Sequence, residues 1–340
     1  MLTKRRLTKQ QRLRIQENQA KTRAQVNAQQ EAEEYLSPSD LGPEQHGRVI
    51  ASYGTQVDIE PEQDSEEGIR RCHLRANLPT IVTGDRVTWQ NGEHQGVVIA
   101  QHPRKSELCR PNNRGKLRPV AANIDRIIVV IAPYPEPHRN LINRYLVAAE
   151  NQSIKPVVIL NKADLIDDSN CNDLTDILDN YLNLGYECFL VSAQTGEGVD
   201  RLEDYLEGFT SVFVGQSGVG KSSLLNTLSP GINAAVGALS TAKAKGTHTT
   251  TNSQLFHLPN GGDVIDSPGI REFGLWHLDT ASIANGFIEF RPFLGKCKFR
   301  DCQHKQEPGC ALCQAVEDGA IEQERFDSYW HIVHSLEQAQ

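Results

Sequence analysis

The sequence has no long hydrophobic run. None of its apolar stretches approaches the roughly 18 residues that a membrane-spanning helix needs, so no membrane association is expected. The N-terminus also lacks the apolar core of a secretory signal, which leaves an organelle transit peptide as the alternative for its Arg-rich start. We expect a cytoplasmic protein whose eight cysteines form no disulfide framework. Without repeats or heptads, a monomer is favoured.

Acidic residues are scarce at the start of the chain. Residues 1–30 carry eight Lys or Arg and a single acid, Glu17, which gives this segment a charge of +7. Because the whole chain has a net charge of −8, the remainder carries −15. We expect residues 1–44 to be a disordered basic arm and linker. The arm is either a solvated tail or an RNA-binding arm that contacts phosphates.

Short strand-like stretches follow, from His46 to about Gln101. Asn91-Gly92 separates the last two stretches and is typical of a tight hairpin turn. About five strands in so short a segment predict a small β-barrel of the OB type over residues 45–105. Such a barrel is a common RNA-binding platform, and the alternative is a barrel that serves only as a packing module.

From Asn123 onward, continuous apolar runs alternate with segments of helical spacing. The run IDRIIVVIA at 124–132 has the composition of a strand buried on both faces. This alternation predicts a doubly wound, mostly parallel α/β sheet, which we assign to residues 106–277. A helical, cysteine-bearing domain over residues 278–340 closes the chain.

The most specific motif is a phosphate-binding loop, Gly215-x4-Gly220-Lys221-Ser222, between a predicted strand and a predicted helix. Its glycines allow backbone N–H groups to point at phosphates, with a helix N-terminus behind them. Lys221 would reach the β- and γ-phosphates and assist catalysis, and Ser222 would hold Mg²⁺. The predicted phosphate-binding residues are Gly215, Gln216, Ser217, Gly218, Val219, Gly220, Lys221, Ser222 and Ser223.

A second motif, Asn161-Lys162-Ala163-Asp164, also follows a predicted strand. The Asp164 carboxylate can accept two hydrogen bonds from the N1–H and N2–H₂ groups of guanine, a donor pair that adenine lacks. Ser192-Ala193, after another strand, would place a small residue behind the base. Together with the phosphate loop, these residues predict GTP or GDP as the ligand. Asp164 argues against the rival hypothesis, a P-loop ATPase or kinase.

Two further segments would complete a GTPase. In Asp266-x-x-Gly269, Asp266 would hold Mg²⁺ through water and the Gly269 N–H would meet the γ-phosphate. The stretch KGTHTTT lies upstream, and in it we choose Thr250 as the residue that closes onto Mg²⁺. Thr249 and Thr251 are close rivals, and a plain polar loop is the alternative.

The residue after Asp-x-x-Gly is Ile270, where many GTPases place a Gln that orients the attacking water. An apolar side chain cannot form hydrogen bonds to water, so we expect slow intrinsic hydrolysis. A partner or His248 would then position the water. The alternative is that His248 is an ordinary loop histidine.

The guanine motif precedes the phosphate loop, the reverse of the usual order. In a parallel α/β sheet, the loops at the carboxyl ends of the strands face one crevice. A cyclic shift of the chain therefore preserves the pocket, provided that the termini and the cut lie at the surface. The shift places both switch segments directly before the C-terminal domain, so we infer that switch movement can pull on that domain.

Four of the eight cysteines form the pattern Cys297-x4-Cys302-x-His304-x5-Cys310-x2-Cys313. Thiolates and an imidazole in such a cluster suit tetrahedral Zn²⁺ in a structural site. Five candidate ligands compete for four positions, and we expect Cys313 to be the spare. The flanking Lys, Arg and Phe side chains form a rim suited to nucleic acid, the alternative being a solvated face.

With these motifs together, the chain resembles the RsgA family, also called YjeQ, of circularly permuted GTPases. The resemblance covers nearly the whole chain and is carried by GQSGVGKSS, NKAD, THTTT and DSPG, joined to the Cys/His tail. It implies a GTPase that binds the small ribosomal subunit and its rRNA, is stimulated by the subunit and checks late assembly. It also implies one zinc ion on Cys297, Cys302, His304 and Cys310. The rival hypothesis is an RNA-binding scaffold with negligible catalysis.

Overall fold

A computed structural model describes six segments of the chain: residues 41–62, 68–111, 116–232, 253–266, 278–305 and 307–338. The predicted basic arm, His248, Thr250, Gly269 and Ile270 lie outside these segments. The described residues fall into two units, one that ends at Pro103 and one that runs from Arg104 and also includes Val82–Gly84. None of the described helices is long and apolar enough to cross a membrane.

The first unit is a five-stranded barrel. Its strands are β1 (Leu41–Ser52), β2 (Gln56–Pro61), β3 (Arg70–Leu74), β4 (Arg86–Gly92) and β5 (Gly96–Gln101). Strand β1 pairs with β2 and β4, β2 pairs with β3, and β5 pairs with β4 and, in parallel, with β3. These pairings close the sheet on itself, which confirms the predicted OB-like barrel. Alternate side chains fill its interior, with Trp89 fully buried among Val49, Ile59 and Val98.

Two details of the barrel differ from the sequence predictions. Strand β1 begins at Leu41, inside the segment predicted to be linker, because its start pairs with the end of β4. The predicted hairpin between β4 and β5 is present, but Asn91 and Gly92 belong to strand β4. The turn therefore lies at residues 93–95. Pairing between Leu41 and Gly92 extends β4 beyond the point where the local turn signal would end it.

The second unit begins with an antiparallel hairpin of β6 (Glu107–Pro111) and β7 (Leu117–Ala122). The sequence pattern does not predict this hairpin, since prolines and charged residues interrupt any apolar alternation. The predicted α/β sheet follows. Its strands are β8 (Arg126–Ile131), β9 (Lys155–Leu160), β10 (Glu187–Leu190), β11 (Thr210–Val214), β12 (Gln254–His257) and β13 (Asp263–Asp266).

The order of strands in this sheet is β10-β9-β8-β11-β13-β12, and only β12 is antiparallel to its neighbour. Every residue of β8 is buried, as expected of a central strand covered on both faces. The helices between the strands are α1 (Arg139–Asn151), α2 (Cys171–Asn183), α3 (Val199–Leu206) and α4 (Lys221–Leu228). The doubly wound, mostly parallel sheet is confirmed.

The C-terminal segment adds three helices, α5 (Thr280–Gly286), α6 (Ala311–Glu317) and α7 (Gln323–Glu337). An aromatic cluster joins α5 to α7, in which Phe287, at the end of α5, and Phe290 stack and Tyr329 of α7 meets both edge-on. These residues belong to the same unit as the α/β sheet. The division into four domains with the boundaries given above stays a prediction.

Candidate nucleotide and metal sites

The predicted nucleotide-binding residues that the structure describes lie at one edge of the sheet. Asn161 follows β9, Ser192 lies just beyond β10, Gly215 follows β11 and Asp266 ends β13. These four strands are parallel to one another through β8, so their carboxyl ends share an edge. Chain order is thus immaterial to the assembly of the pocket.

The phosphate loop connects β11 to α4 and adopts backbone angles that require glycine. Gly215, Gly218 and Gly220 have φ angles of 137°, 87° and 91°. A Cβ atom on Gly215 would collide with the carbonyl oxygen of Val130, and one on Gly220 with the amide of Asn161. The loop is therefore pressed against β8 on one side and against the guanine motif on the other.

Asn161 joins three loops of the site. Its side-chain amide donates to the carbonyl of Val219 in the phosphate loop at 2.9 Å and accepts from the N–H of Ala193 at 3.2 Å. The side chain is 1% exposed, and its hydrogen bond to Val219 is buried. The guanine motif, the Ser-Ala loop and the phosphate loop thus share one buried amide.

Lys162 makes a second connection between the guanine motif and the phosphate loop. Its backbone is left-handed, with φ 62°, and its ammonium group donates to the carbonyls of Gly218 and Tyr134, each at 2.7 Å. Tyr134 lies in the loop after β8, and its ring is 56% exposed. No sequence motif indicates this loop, because a backbone carbonyl that accepts a hydrogen bond leaves no residue-type signal.

Asp164 is held by a neighbouring hydroxyl group. Ser192, which is fully buried, donates a hydrogen bond from Oγ to the Oδ1 atom of Asp164 and accepts one from the N–H of Thr195 at 3.1 Å. The sequence predicted a small residue behind the base at Ser192-Ala193. The contact of Ser192 with the carboxylate is an additional role, which fixes the direction in which Asp164 presents its oxygens.

Lys221 is the first residue of helix α4, and its ammonium group curls back over the phosphate loop. It donates to the carbonyls of Gly215 and Gln216, each at 2.7 Å. Ser222 is next on the helix, and Asp266 is at the end of β13, the strand beside β11. A hydroxyl and a carboxylate are oxygen donors of the kind that Mg²⁺ prefers.

The Cys/His cluster brings four of the five candidate ligands together. The ligand atoms of Cys297, Cys302, His304 and Cys310 lie within 4.8 Å of one another. Nδ1 of His304 is 3.6, 3.7 and 3.3 Å from the three sulfurs in turn. Zinc–ligand bonds of typical length at tetrahedral angles place sulfur about 3.6 Å from nitrogen, so the three nitrogen–sulfur distances suit Zn²⁺.

Cys313 is not part of this cluster. Its thiol donates to the backbone carbonyl of His304 at 3.8 Å, and its N–H donates to the sulfur of Cys310 at 3.5 Å. A second sulfur, that of Cys297, accepts the Ala311 N–H at 3.3 Å. Backbone donors of this kind stabilise thiolate ligands, so Cys313 supports the cluster from outside it.

Glu307, which the sequence analysis did not single out, braces the ligand loop. Its carboxylate accepts hydrogen bonds from the N–H groups of Gln303 at 3.0 Å and Lys305 at 2.6 Å. Burial raises the pKa of Cys302 to about 12 and that of Cys310 to about 11. A bound divalent cation would reverse this trend, because it stabilises the thiolate form.

Comparison with known proteins gives consistent matches along the chain. The family model described as RsgA GTPase matches residues 101–276. The small ribosomal subunit biogenesis GTPase RsgA of Pseudomonas aeruginosa is 55% identical over 337 residues, which cover 98% of each chain. The protein of the same name from Azotobacter vinelandii is 55% identical over 338 residues, again with 98% of each chain covered.

Two solved structures are also similar. YjeQ from Thermotoga maritima is 32% identical with a TM-score of 0.72, and the match covers 86% of this chain and 99% of that one. YloQ, described as a circularly permuted GTPase, is 28% identical with a TM-score of 0.69, and the match covers 88% of this chain and 96% of that one.

Proposed function

This chain belongs to the RsgA GTPase family and is a GTP hydrolase, and on that premise we propose that it acts in late maturation of the small ribosomal subunit. It binds the subunit and its rRNA, and the subunit accelerates hydrolysis. The observation that supports this proposal most strongly is the buried Asn161 amide, which unites the guanine motif with the phosphate loop. The protein works as a cytoplasmic monomer.

The guanine base is selected by Asp164. Its carboxylate accepts hydrogen bonds from N1–H and N2–H₂ of the base, and Ser192 keeps the carboxylate oriented for them. Adenine offers no such donor pair and would leave the carboxylate unpaired, which makes its binding unfavourable. Asn161 and Lys162 contribute indirectly, since they hold the neighbouring loops at the right distance.

The phosphates are bound by the backbone N–H groups of residues 215–223 and by Lys221. The Lys221 ammonium group exchanges its loop carbonyls for β- and γ-phosphate oxygens, where it stabilises negative charge that develops during hydrolysis. Ser222 and Asp266, together with Thr250, are the residues that would hold Mg²⁺. The ion supplies charge neutralisation at the phosphates.

The attacking water is positioned poorly by the free protein. Ile270 occupies the position of the usual water-orienting Gln, and an apolar side chain offers no hydrogen bond. We assign the orientation of water to His248, with the small subunit holding its loop in place. With this assignment, the enzyme hydrolyses GTP slowly alone and faster when it is bound to the small subunit.

The Cys/His cluster is a structural zinc site, on Cys297, Cys302, His304 and Cys310. Four protein ligands complete a tetrahedron and leave no position for a reacting water. Beside it lies a cavity of about 790 Å³, whose wall includes Phe299, Arg300, Lys305 and Trp330. Lys298 and Lys305 place their ammonium groups 5.5 Å from the ring centres of Phe299 and Trp330. Basic and aromatic side chains in one groove suit rRNA.

The experiment that tests this function is a binding assay with purified small subunits. The protein is mixed with subunits in the presence of a non-hydrolysable GTP analogue, of GDP or of no nucleotide, and the bound fraction is measured after sedimentation. Nucleotide-dependent binding to the small subunit is expected. Equal binding in all three conditions would contradict the proposal.

A further inference from the structure

The hydroxyl group of Tyr145, on helix α1, reaches the phosphate loop. Burial raises the pKa of Tyr145, and a backbone hydrogen bond from Gly215 opposes that increase. The hydroxyl therefore lies within hydrogen-bonding reach of the Gly215 backbone. Tyr145 is only 4% exposed, and it lines a small cavity together with Gly215, Gln216 and Val219.

Two residues away on the same helix, Asn143 contacts the C-terminal segment. Its Oδ1 atom accepts hydrogen bonds from Nη1 of Arg325, on helix α7, and from the hydroxyl of Tyr181 at 2.9 Å. Arg325 is 4% exposed and also pairs with Glu289 through two hydrogen bonds, at 2.6 and 3.2 Å. A buried guanidinium with all these partners fixes α7 on α1 in one position.

Other hydrogen bonds hold the C-terminal segment to the same helix. Ser328 on α7 donates to Asn140 at 2.7 Å, and Asn151 at the end of α1 donates to the carbonyl of Ser282 on α5 at 3.0 Å. Helix α1 therefore carries contacts to the C-terminal helices along its length. The C-terminal helices and α1 are thus joined by hydrogen bonds at several points.

Residues 143 and 145 project from opposite sides of α1, because two residues correspond to about 200° of rotation in an α-helix. One side chain holds the C-terminal helix and the other holds the first glycine of the phosphate loop. We propose that Tyr145 is a positioning residue for the phosphate loop, and that α1 couples nucleotide affinity to the docking of α7 through Asn143 and Arg325. This inference rests on the proposed nucleotide site.

The test compares GDP affinity, measured by titration calorimetry on the full-length protein, for four variants. Tyr145→Phe removes only the hydroxyl group beside Gly215. Tyr186→Phe is the matched control, since Tyr186 is equally buried and its hydroxyl has no hydrogen-bond partner among the described residues. Arg325→Lys keeps the charge beside Glu289 but cannot also reach Asn143. Ser328→Ala is a milder change at the same interface.

Tyr145→Phe is expected to weaken GDP binding about five- to tenfold, as expected when a buried hydroxyl beside the phosphate loop is lost, with the control within about twofold of the parent. Arg325→Lys and Ser328→Ala are each expected to weaken it about threefold, although neither residue touches the loop. In a double variant with Tyr145→Phe, either α7 change should weaken GDP binding by a smaller factor than it does alone. Hydrogen exchange should rise in the peptide that contains Gly215.

Equal affinities for Tyr145→Phe and Tyr186→Phe would overturn the role of Tyr145. If the fold-losses of GDP affinity in a double variant equal the product of the two single losses, the coupling is overturned. The same holds if neither α7 variant changes GDP affinity. If Arg325→Lys does not fold, Ser328→Ala decides this second point. Failure of the parent protein to bind GDP would instead refute the proposed nucleotide site, so the two failures are distinguishable.

Discussion

Replacement of Asn161 by alanine tests the junction on which the nucleotide pocket depends. The side chain is 1% exposed and satisfies two backbone groups, the carbonyl of Val219 and the N–H of Ala193. Truncation removes the partner of both groups, which costs about 1–3 kcal/mol each where the group stays shielded from water. A middle value of about 1.5 kcal/mol each gives roughly 3 kcal/mol in total, or about a 150-fold loss of nucleotide affinity if the loops are ordered only when nucleotide binds.

The assay is titration of GDP in the presence of Mg²⁺, with thermal unfolding to confirm that the variant is folded. Asn170→Ala is the matched control, because Asn170 also bonds two backbone groups, the N–H of Asp167 and the carbonyl of Leu165, but on an exposed loop. We expect the control to change affinity by less than about threefold, since water replaces its partners. A folded Asn161→Ala protein with affinity as high as the control would refute the reasoning.

Three further predictions concern the two sites. Asp164→Asn should lower GTP affinity at least about 100-fold, since two charge-assisted hydrogen bonds to guanine are lost, and fluorescent-nucleotide titration measures this; unchanged affinity would exclude Asp164 as the guanine-binding residue. Lys221→Ala should abolish nucleotide binding or turnover but leave the zinc content unchanged, and loss of both would indicate general unfolding. Cys302→Ser should lose zinc, whereas Cys313→Ser should retain it, as measured by metal analysis after gel filtration. The reverse result would mean that Cys313 is a zinc ligand and Cys302 is not.

Local patterns identified the elements of the α/β sheet. Continuous apolar runs predicted β8 and β9, because a strand buried on both faces needs apolar residues in succession. Helical spacing predicted α1 and α2, because the buried face of a helix repeats every three to four residues. The motifs at the strand ends were readable for a similar reason. A phosphate loop needs particular residue types at fixed spacing, whatever the order of the chain.

Features that depend on distant pairing were not predictable in the same way. The signal at Asn91-Gly92 is local, yet β1 pairs with this segment from across the barrel and moves the turn beyond it. The prolines and charges of β6 and β7 concealed a hairpin whose ladder is set by the backbone. In each case hydrogen bonds between backbones outweigh local propensity, and residue types do not reveal them.

The candidate sites show the same limit. Asn161 and Asp164 were predicted as site residues because Asn-Lys-x-Asp after a strand is typical of a guanine-binding motif. The carbonyl of Tyr134 accepts from Lys162, and Tyr145 lines a cavity with Gly215. Neither residue belongs to a motif, so only the folded chain reveals these contacts. The bracing role of Glu307 was also not predictable, because a single acidic residue near a cysteine cluster matches no sequence motif.

Single-turnover GTP hydrolysis, measured with and without purified small ribosomal subunits, tests the central claim most directly. The protein alone should hydrolyse bound GTP slowly, since Ile270 cannot orient water, and saturating small subunits should accelerate the reaction at least about tenfold, within the range expected when a partner positions the water. A rate that is the same with and without subunits would contradict the claim and favour a nucleotide-binding RNA scaffold.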